Sequence, residues 1–474
     1  MQGPSLYDGE STLDAPDDIS LLSTQPVLHS TPISPVPPAP NKAVTQDTQK
    51  RSAFAQIWKE ALLPYLGTRL LVFVVGLFAT YYIMPRLAPI FTLPNPAANM
   101  AFPQSLWLMW QHFDSGFYLQ IIKYGYAPAS SLQHQDNWVF YPLYPLLMNG
   151  VGKLLGGSEA AYSIAGVLIS NIAGAGMMTY LYLLVRREFN ARVASRTVIY
   201  LALFPTAFFF SAIFTESLLL GLCIACIYYT RRQLWWLAGI CGGLAALTRL
   251  QGVTLLVPLA WEYLRVVSAR YAPLPTELPA RRLERAKIVV NCYLRGLLLA
   301  ARVQKNWLNA LALLLVPCGL LAFMVYGQIH INDFFATFHA SAWGWRRHVS
   351  PPWRLLIYSL RNPILGQPMN WNFWVLNITT ALAGLAVLIW SWRRLPMAYT
   401  LYTAVMVLLP LTSSLLNSYG RYALLIFPAF ILLASFTSKT NGKEGHLHTF
   451  IVASFAALEA VFMIFFVLGF PTIA

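Results

Sequence analysis

Charge is what this sequence has least of. Only 11% of its 474 residues are Asp, Glu, Lys or Arg, where an ordinary soluble domain carries about 25%, while 57% are hydrophobic. That shortage excludes a soluble globular enzyme. Cysteine is sparse too: Cys223, Cys226, Cys241, Cys292 and Cys318 show no zinc-ligand or extracellular disulfide spacing. Cys223 and Cys226 form a CxxC within an apolar run, where small helix- or lipid-facing thiols are the plain reading. There is no Gly-rich phosphate loop and no nucleotide-binding βαβ unit, so a bound nucleotide has no recognisable cradle. A charged start followed by a short apolar core is also missing, so no cleavable signal peptide is expected.

What is abundant is long apolar runs. At roughly 20 residues per crossing, the stretches between about 62 and 470 supply about eleven spans, which predicts an all-α polytopic membrane protein. Residues 1–55, with their Pro-, Ser- and Thr-rich run, cannot bury enough apolar area to order themselves and are expected to form a disordered cytoplasmic tail. Residues 56–474 would form the multi-span domain, with the first span, near 62–84, as signal anchor. The net charge of +15 reads as a topology signal rather than a nucleic-acid footprint, because Lys and Arg accumulate in cytoplasmic loops. Tracking basic clusters span by span places loops near 85–157 and 327–372 outside. The loop near 265–306, with nine Lys or Arg, falls inside. The apolar run 234–264 is interrupted at Arg249 and reads as two short helices with Arg249 at the outer turn.

This topology sorts the 18 acidic residues. Six lie in the tail, and Glu60, Glu188, Glu262, Glu277, Glu284 and Glu444 flank spans on the cytoplasmic side, where a carboxylate is merely solvated. Asp114, Asp136, Glu159, Glu216 and Asp333 remain outside, and Glu459 falls within the last span. Ionisable groups near a bilayer are costly and face a cavity or a partner, so the outer side is the candidate working face. The segment 107–126 reads as an interfacial helix with Asp114, Phe117, Tyr118 and Ile121 on one face and Trp107, Trp110 and Phe113 at the membrane boundary. Asp114 there either caps the helix or meets a ligand. Downstream, Trp138 and Tyr141 belong to an aromatic and proline-rich stretch whose rings suit sugar faces or a membrane interface equally well. Glu216, at the tip of the apolar hairpin 203–215, needs Arg249 or Arg421 as compensation, or a ligand. Asp333 opens a segment ending in Arg346 and Arg347, and arginine suits phosphate. His330, His339 and His348 recur every nine residues, a spacing that matches no metal-ligand motif, so no metal is expected.

The runs FDSGFYLQIIKYGY at 113–126, VFYPLYPLL at 139–147 and LFPTAFFFSAIFTESLLL at 203–220 resemble the PIG-V-like mannosyltransferases, relatives of GPI mannosyltransferase 2 in the GT-C class of membrane glycosyltransferases. AGICGGLAALTRLQG at 238–252 and GRYALLIFPAFILLA at 420–434 add to the resemblance, and Phe113 stands where the family usually has Trp before the acid. The resemblance implies a GT-C-like helical fold with interfacial helices in its outer loops. It implies inverting transfer of mannose from a polyprenyl-phosphate carrier, the lipid-linked donor acting as co-substrate with no other cofactor. The acceptor would be a glycan, glycolipid or protein hydroxyl at the non-cytoplasmic face. Asp114 would be the general base. Glu216 would orient the acceptor or an arginine, and Arg249 and Arg421, then Arg346 and Arg347, would steady the leaving phosphate. A GT-C enzyme for another sugar or a protein acceptor shares this pattern. A transporter or flippase also has broken spans and buried charges, but the one-sided acids and the missing internal repeat count against it.

Overall fold

Backbone amides in an apolar solvent must be satisfied within their own segment, which makes the apolar runs helical. The computed structural model describes residues 54–87, 102–131, 136–277, 279, 281–361, 371–413, 418–438 and 444–470; the expected tail lies outside them. Residues from Ser52 onward form one unit. It is almost wholly helical, its one β element among the described residues being an isolated antiparallel bridge between Val349 and Ser413. An all-α membrane architecture is therefore what this chain adopts.

The helices that carry the argument are, in chain order, α1 (Phe54–Leu87), α2 (Ser115–Tyr124), α3 (Leu143–Leu154), α4 (Glu159–Glu188), α5 (Ala191–Ala202) and α6 (Glu216–Arg231). Next come α7 (Trp235–Thr248), α8 (Leu256–Tyr271), α9 (Arg282–Ala300), α10 (Gln304–Ile331) and α11 (Ala336–Trp343). The last third holds α12 (Pro352–Arg361), α13 (Trp371–Arg394), α14 (Met397–Leu411), α15 (Tyr419–Tyr422), α16 (Phe427–Thr437) and α17 (Glu444–Val467).

Among the described residues six helices are long and apolar enough to cross a membrane, or seven if the pair around α15 and α16, bent by 70°, counts as one. The expected eleven is not reached, and the difference lies in α5, α6, α7 and α14, which have 12, 16, 14 and 15 residues. At 1.5 Å per residue the longest of these spans about 24 Å, short of a hydrocarbon core of about 30 Å. Local chemistry stops them. Asn190 caps α5, its side chain accepting from Val193 N at 2.9 Å; α7 ends at the extended Arg249; Pro396 precedes α14. The apolar residues between α5 and α6 fold instead as irregular chain with one 3-10 turn, Ala207–Phe210, packed inside protein.

Two sets of buried charges hold the bundle. Arg69 of α1 donates to Glu459 of α17 at 2.9 Å and to the carbonyls of Ala207 and Ala202 at 2.6 and 2.8 Å. The second set revises the expectation that Glu188 and Glu262 are merely solvated. Glu262 is 3% exposed and accepts from Arg231 and Arg265, each at 2.6 Å, while Glu188 pairs with Arg231 and accepts from Tyr399 at 2.8 Å. These acids close the ends of α4, α6 and α8 against each other, which solvation alone would not do.

Helices α7 and α10 approach closely because glycines line the contact. A Cβ built on Gly239 would lie 2.0 Å from the Ala312 carbonyl oxygen, and one on Gly319 would lie 2.2 Å from that of Gly243. Both neighbours are backbone and cannot swing away. Gly239→Val and Gly319→Val are therefore expected to lower stability by about 1–3 kcal/mol, the usual range for overpacking. Gly67→Ala, which meets nothing within 4 Å, should leave the melting temperature in detergent unchanged.

Candidate active site

The site is built on α6, α15 and two helix junctions. Glu216 is the first residue of α6, where the helix N-terminus favours a negative charge. Arg249 sits at the break between α7 and the 3-10 turn Leu250–Leu255, with φ −166°. Arg421 lies in the short α15. Asp114 begins α2 without capping it, so its side chain is left for a tertiary partner. The chain turns into α2 through Phe113, held at φ +52°, a left-handed conformation costly for a bulky L-residue. The segment 107–126 is thus two helices, Ser105–Leu108 and α2, rather than one interfacial helix. Trp110, expected at the membrane boundary, is only 3% exposed and belongs to the core, because the kink folds it inward.

These elements bring two acids and two arginines into contact. Arg421 Nη1 donates to Asp114 Oδ2 at 2.8 Å, and its Nε lies 3.2 Å from Glu216 Oε1. Arg249 Nη1 donates to the same Glu216 oxygen at 2.7 Å, and Nη2 donates to the Tyr422 hydroxyl at 3.3 Å. Glu216 and Arg421 are buried, at 1% and 3% exposure, whereas the Asp114 side chain is 26% exposed. Phe209, Phe214 and Tyr422 present ring faces to the Arg421 guanidinium at 5.6, 5.2 and 5.7 Å. The phenylalanine-rich hairpin thus stabilises a cation as well as excluding water. Nearby, burial against Phe466 pushes His112 down to about 4, so at neutral pH its imidazole adds no charge.

Asp114, Tyr118, Tyr141, Arg249, Arg347 and Arg421 line one cavity of about 150 Å³. Gln251, Thr337, Ser341, Trp345 and Tyr422 complete its polar wall. Leu250, Gln251, Phe338, Ser341, Arg347 and Tyr422 also face a larger adjoining cavity of about 640 Å³, which reaches His339, His348 and the end of α14. Asp114 Oδ1 makes no protein hydrogen bond among the described residues, and the carboxylate is the acid on the cavity wall. Within the tetrad two negative and two positive groups balance. Arg347 adds a cation with no ion-pair partner among the described residues; its guanidinium lies 5.5 Å over the Trp345 ring.

Several sequence candidates sit elsewhere. Trp138 is 1% exposed, donates its indole N–H to the Ala127 carbonyl at 2.8 Å and packs with Tyr126 and Phe323, outside both cavities. Arg346, at φ +53°, lines neither. Asp333 lines neither as well. It accepts from Phe335 N at 2.9 Å and bonds His339 Nδ1 at 2.7 Å, so it reaches the larger cavity only through that imidazole. Of the other outer acids, Asp136 accepts from Trp138 N at 3.0 Å and Glu159 pairs with Lys123 at 2.7 Å. Among the described residues no three His, Cys, Asp or Glu side chains gather as a metal site. Gln251, Thr337, Ser341 and Tyr422 are cavity residues that pattern reading passed over; only Tyr422, beside Arg421, carried a signal.

Removing Arg421 takes the ion-pair partner from Asp114 and leaves Glu216 to Arg249 alone. Arg421→Met should destabilise the protein by about 3–5 kcal/mol, as for other broken buried ion pairs. Arg347→Met, on a half-buried loop without an ion pair, should stay within about 0.5 kcal/mol. Thermal melting of the two variants in detergent separates a structural from a ligand-facing arginine.

Comparisons with known proteins give one partial family match and several distant structural likenesses. Residues 141–274, which include Tyr141, Glu216, Arg249 and Gln251, match the model of the dolichyl-phosphate-mannose-protein mannosyltransferase family. No curated protein matches the chain significantly. Among solved structures it is similar to ArnT from Cupriavidus metallidurans bound to undecaprenyl phosphate, at 13% identity and a TM-score of 0.45, covering 77% of this chain and 75% of that one. It is also similar to the oligosaccharyltransferase of Archaeoglobus fulgidus, at 14% identity and a TM-score of 0.39, covering 86% of this chain and 56% of the archaeal one. The archaeal enzyme has also been solved with an inhibitory peptide and a dolichol-phosphate, to which this chain is 12% identical with a TM-score of 0.38, covering 86% of this chain and 56% of that one.

Proposed function

We propose that the protein is an inverting glycosyltransferase of the GT-C type. It moves mannose from a polyprenyl-phosphate carrier to an acceptor hydroxyl at the non-cytoplasmic membrane face. The observation that carries this reading is Asp114: a carboxylate on a cavity wall, held at one oxygen by a buried arginine and open at the other. Such a group can accept the proton of a hydroxyl nucleophile. The acceptor oxygen then bonds to the anomeric carbon as the bond from that carbon to the phosphate oxygen breaks, and the carrier departs as polyprenyl phosphate. Attack opposite the leaving group inverts the centre through a transition state of oxocarbenium character.

The arginines take distinct parts in this scheme. Arg421 orients Asp114 and is enclosed by it, by Glu216 and by aromatic rings, so it positions the base. Arg249 and Arg347 line the cavity and stabilise charge growing on the departing phosphate. Glu216 holds Arg249 rather than contacting substrate. Tyr118 and Tyr141 border the reacting sugar, and the larger cavity receives the acceptor. The partial family match supports a polyprenyl-phosphate mannose donor, and the acceptor is a glycan, glycolipid or protein hydroxyl.

The test is transfer by the full chain, purified in lipid or detergent, from polyprenyl-phosphate mannose to a mass-resolved panel of acceptors. Asp114→Asn should cut turnover by about 10²-fold or more, in the range for a lost general base, while the variant still folds and melts at a lower temperature, because Arg421 keeps only Glu216 as its acid. Full turnover in that variant refutes the base assignment. Arg347→Met should cut it by about 10²-fold, as loss of one charge-stabilising donor does. The membrane face is read separately on a cysteine-free background: Val349→Cys should react with an impermeant maleimide from the non-cytoplasmic side, and Arg187→Cys from the cytoplasmic side.

A further inference from the structure

The end of the bundle opposite the tetrad carries a second pair of adjoining cavities that the transferase chemistry does not use. Glu216 opens α6 and Arg231 closes it, 15 residues later, so the two ends lie about 22 Å apart. Arg231 pairs with Glu188 at the end of α4, and the residues just around Glu188 lead into both cavities. One, of about 410 Å³, is polar and lined by Arg186, Arg192, Arg196, His448 and Glu60. Three guanidiniums stand there against the single carboxylate of Glu60, which accepts from the Ser195 hydroxyl at 2.8 Å, so the lining is net positive. The other, of about 290 Å³, is apolar, lined by Phe189, Val193, Trp390, Leu395, Leu432 and Phe436. The first turns of α5 separate the two, and Arg196 bridges them, donating to Ser438 on the rim of the apolar cavity at 3.4 Å.

A polar arginine-lined cavity beside an apolar slot has the chemistry of one ligand class. We infer that this pair binds an anionic phospholipid, its phosphate among Arg186, Arg192 and Arg196 and an acyl chain along Trp390 and Phe436. Guanidinium suits phosphate by shape and by its weak hydration. Trp390 and Phe436 are 37% and 50% exposed, an apolar surface open to a chain arriving from the lipid. A free phosphate would fill only the polar half and leave the adjoining slot without purpose. The bound lipid ties the start of α1, the junction of α4 and α5, and the start of α17 to one headgroup, and it does so without touching the tetrad.

The experiment uses the full chain exchanged into phosphatidylcholine vesicles containing phosphatidylglycerol, extracted gently and weighed by native mass spectrometry. Phosphatidylglycerol should be retained over phosphatidylcholine by roughly tenfold or more, from the attraction of clustered arginines for anionic headgroups. Arg186→Gln with Arg196→Gln should abolish that preference, and Arg186→Lys with Arg196→Lys should keep most of it while reporting on folding. Equal retention of the two lipids, or a preference unchanged in the glutamine variant, overturns the inference. Displacement of phosphatidylglycerol by millimolar inorganic phosphate overturns the lipid assignment in favour of a free-anion site. Mannosyl transfer in vesicles lacking anionic lipid reads the proposed activity independently, so failure of one reading leaves the other standing.

Discussion

The fold around the site depends on the desolvated contact of Arg421 with Asp114 and Glu216. A guanidinium at 3% exposure is tolerable only with opposite charge against it. Here the compensation comes from α2 and α6, which are about a hundred residues apart in sequence. Arg249 adds a second cation on the Glu216 oxygen. Each helix end therefore has a fixed partner, and the irregular stretch before α6 has a reason to stay irregular: its phenylalanines must face the guanidinium that the helix ends surround.

From this follows the division of labour among charged groups. Arg421, enclosed by two carboxylates, cannot turn to a substrate without exposing those acids, whereas Arg347 stands against the Trp345 ring with no ion-pair partner among the described residues. Asp114 occupies the boundary between the two situations, with one oxygen locked and the side chain partly open. A buried network and a wet cavity meet at a single carboxylate, and the left-handed Phe113 aims it. The same logic operates at the opposite end of α6. There Glu188, Glu262, Arg231 and Arg265 neutralise one another, and the arginines of α4 and α5 beside them face an open polar cavity.

Much of this was legible before any coordinates. The scarcity of charge and the length of the apolar runs required a helical membrane protein, because no other arrangement of such a composition satisfies its backbone in lipid. Sorting the acids by topology left Asp114, Asp136, Glu159, Glu216 and Asp333 as candidates, the resemblance put Asp114 and Glu216 first among them, and the break at Arg249 was visible because a charged residue interrupts a run that is otherwise continuous. The span count was less legible. A hydropathy run records only that residues are apolar; α5, α6 and α14 are largely buried in protein while α7 keeps Trp236, Leu237 and Ile240 exposed, and it is length that separates these four from the six long helices.

Which charges pair is a different kind of information. Sequence determined the inventory: Asp114, Glu216 and Asp333 as acids expected on the outer side, a handful of arginines, aromatic stretches suited to sugar or membrane. Tertiary structure decided that Trp138 packs inside while Tyr141 faces the cavity, that Asp333 serves His339, and that Glu188 and Glu262 are network members rather than solvated ends. The reason is physical. Burial and pairing depend on how separate segments meet in space, whether 6 residues apart, as Asp333 and His339 are, or 307, as Asp114 and Arg421 are, and a local pattern of polarity contains no term for them.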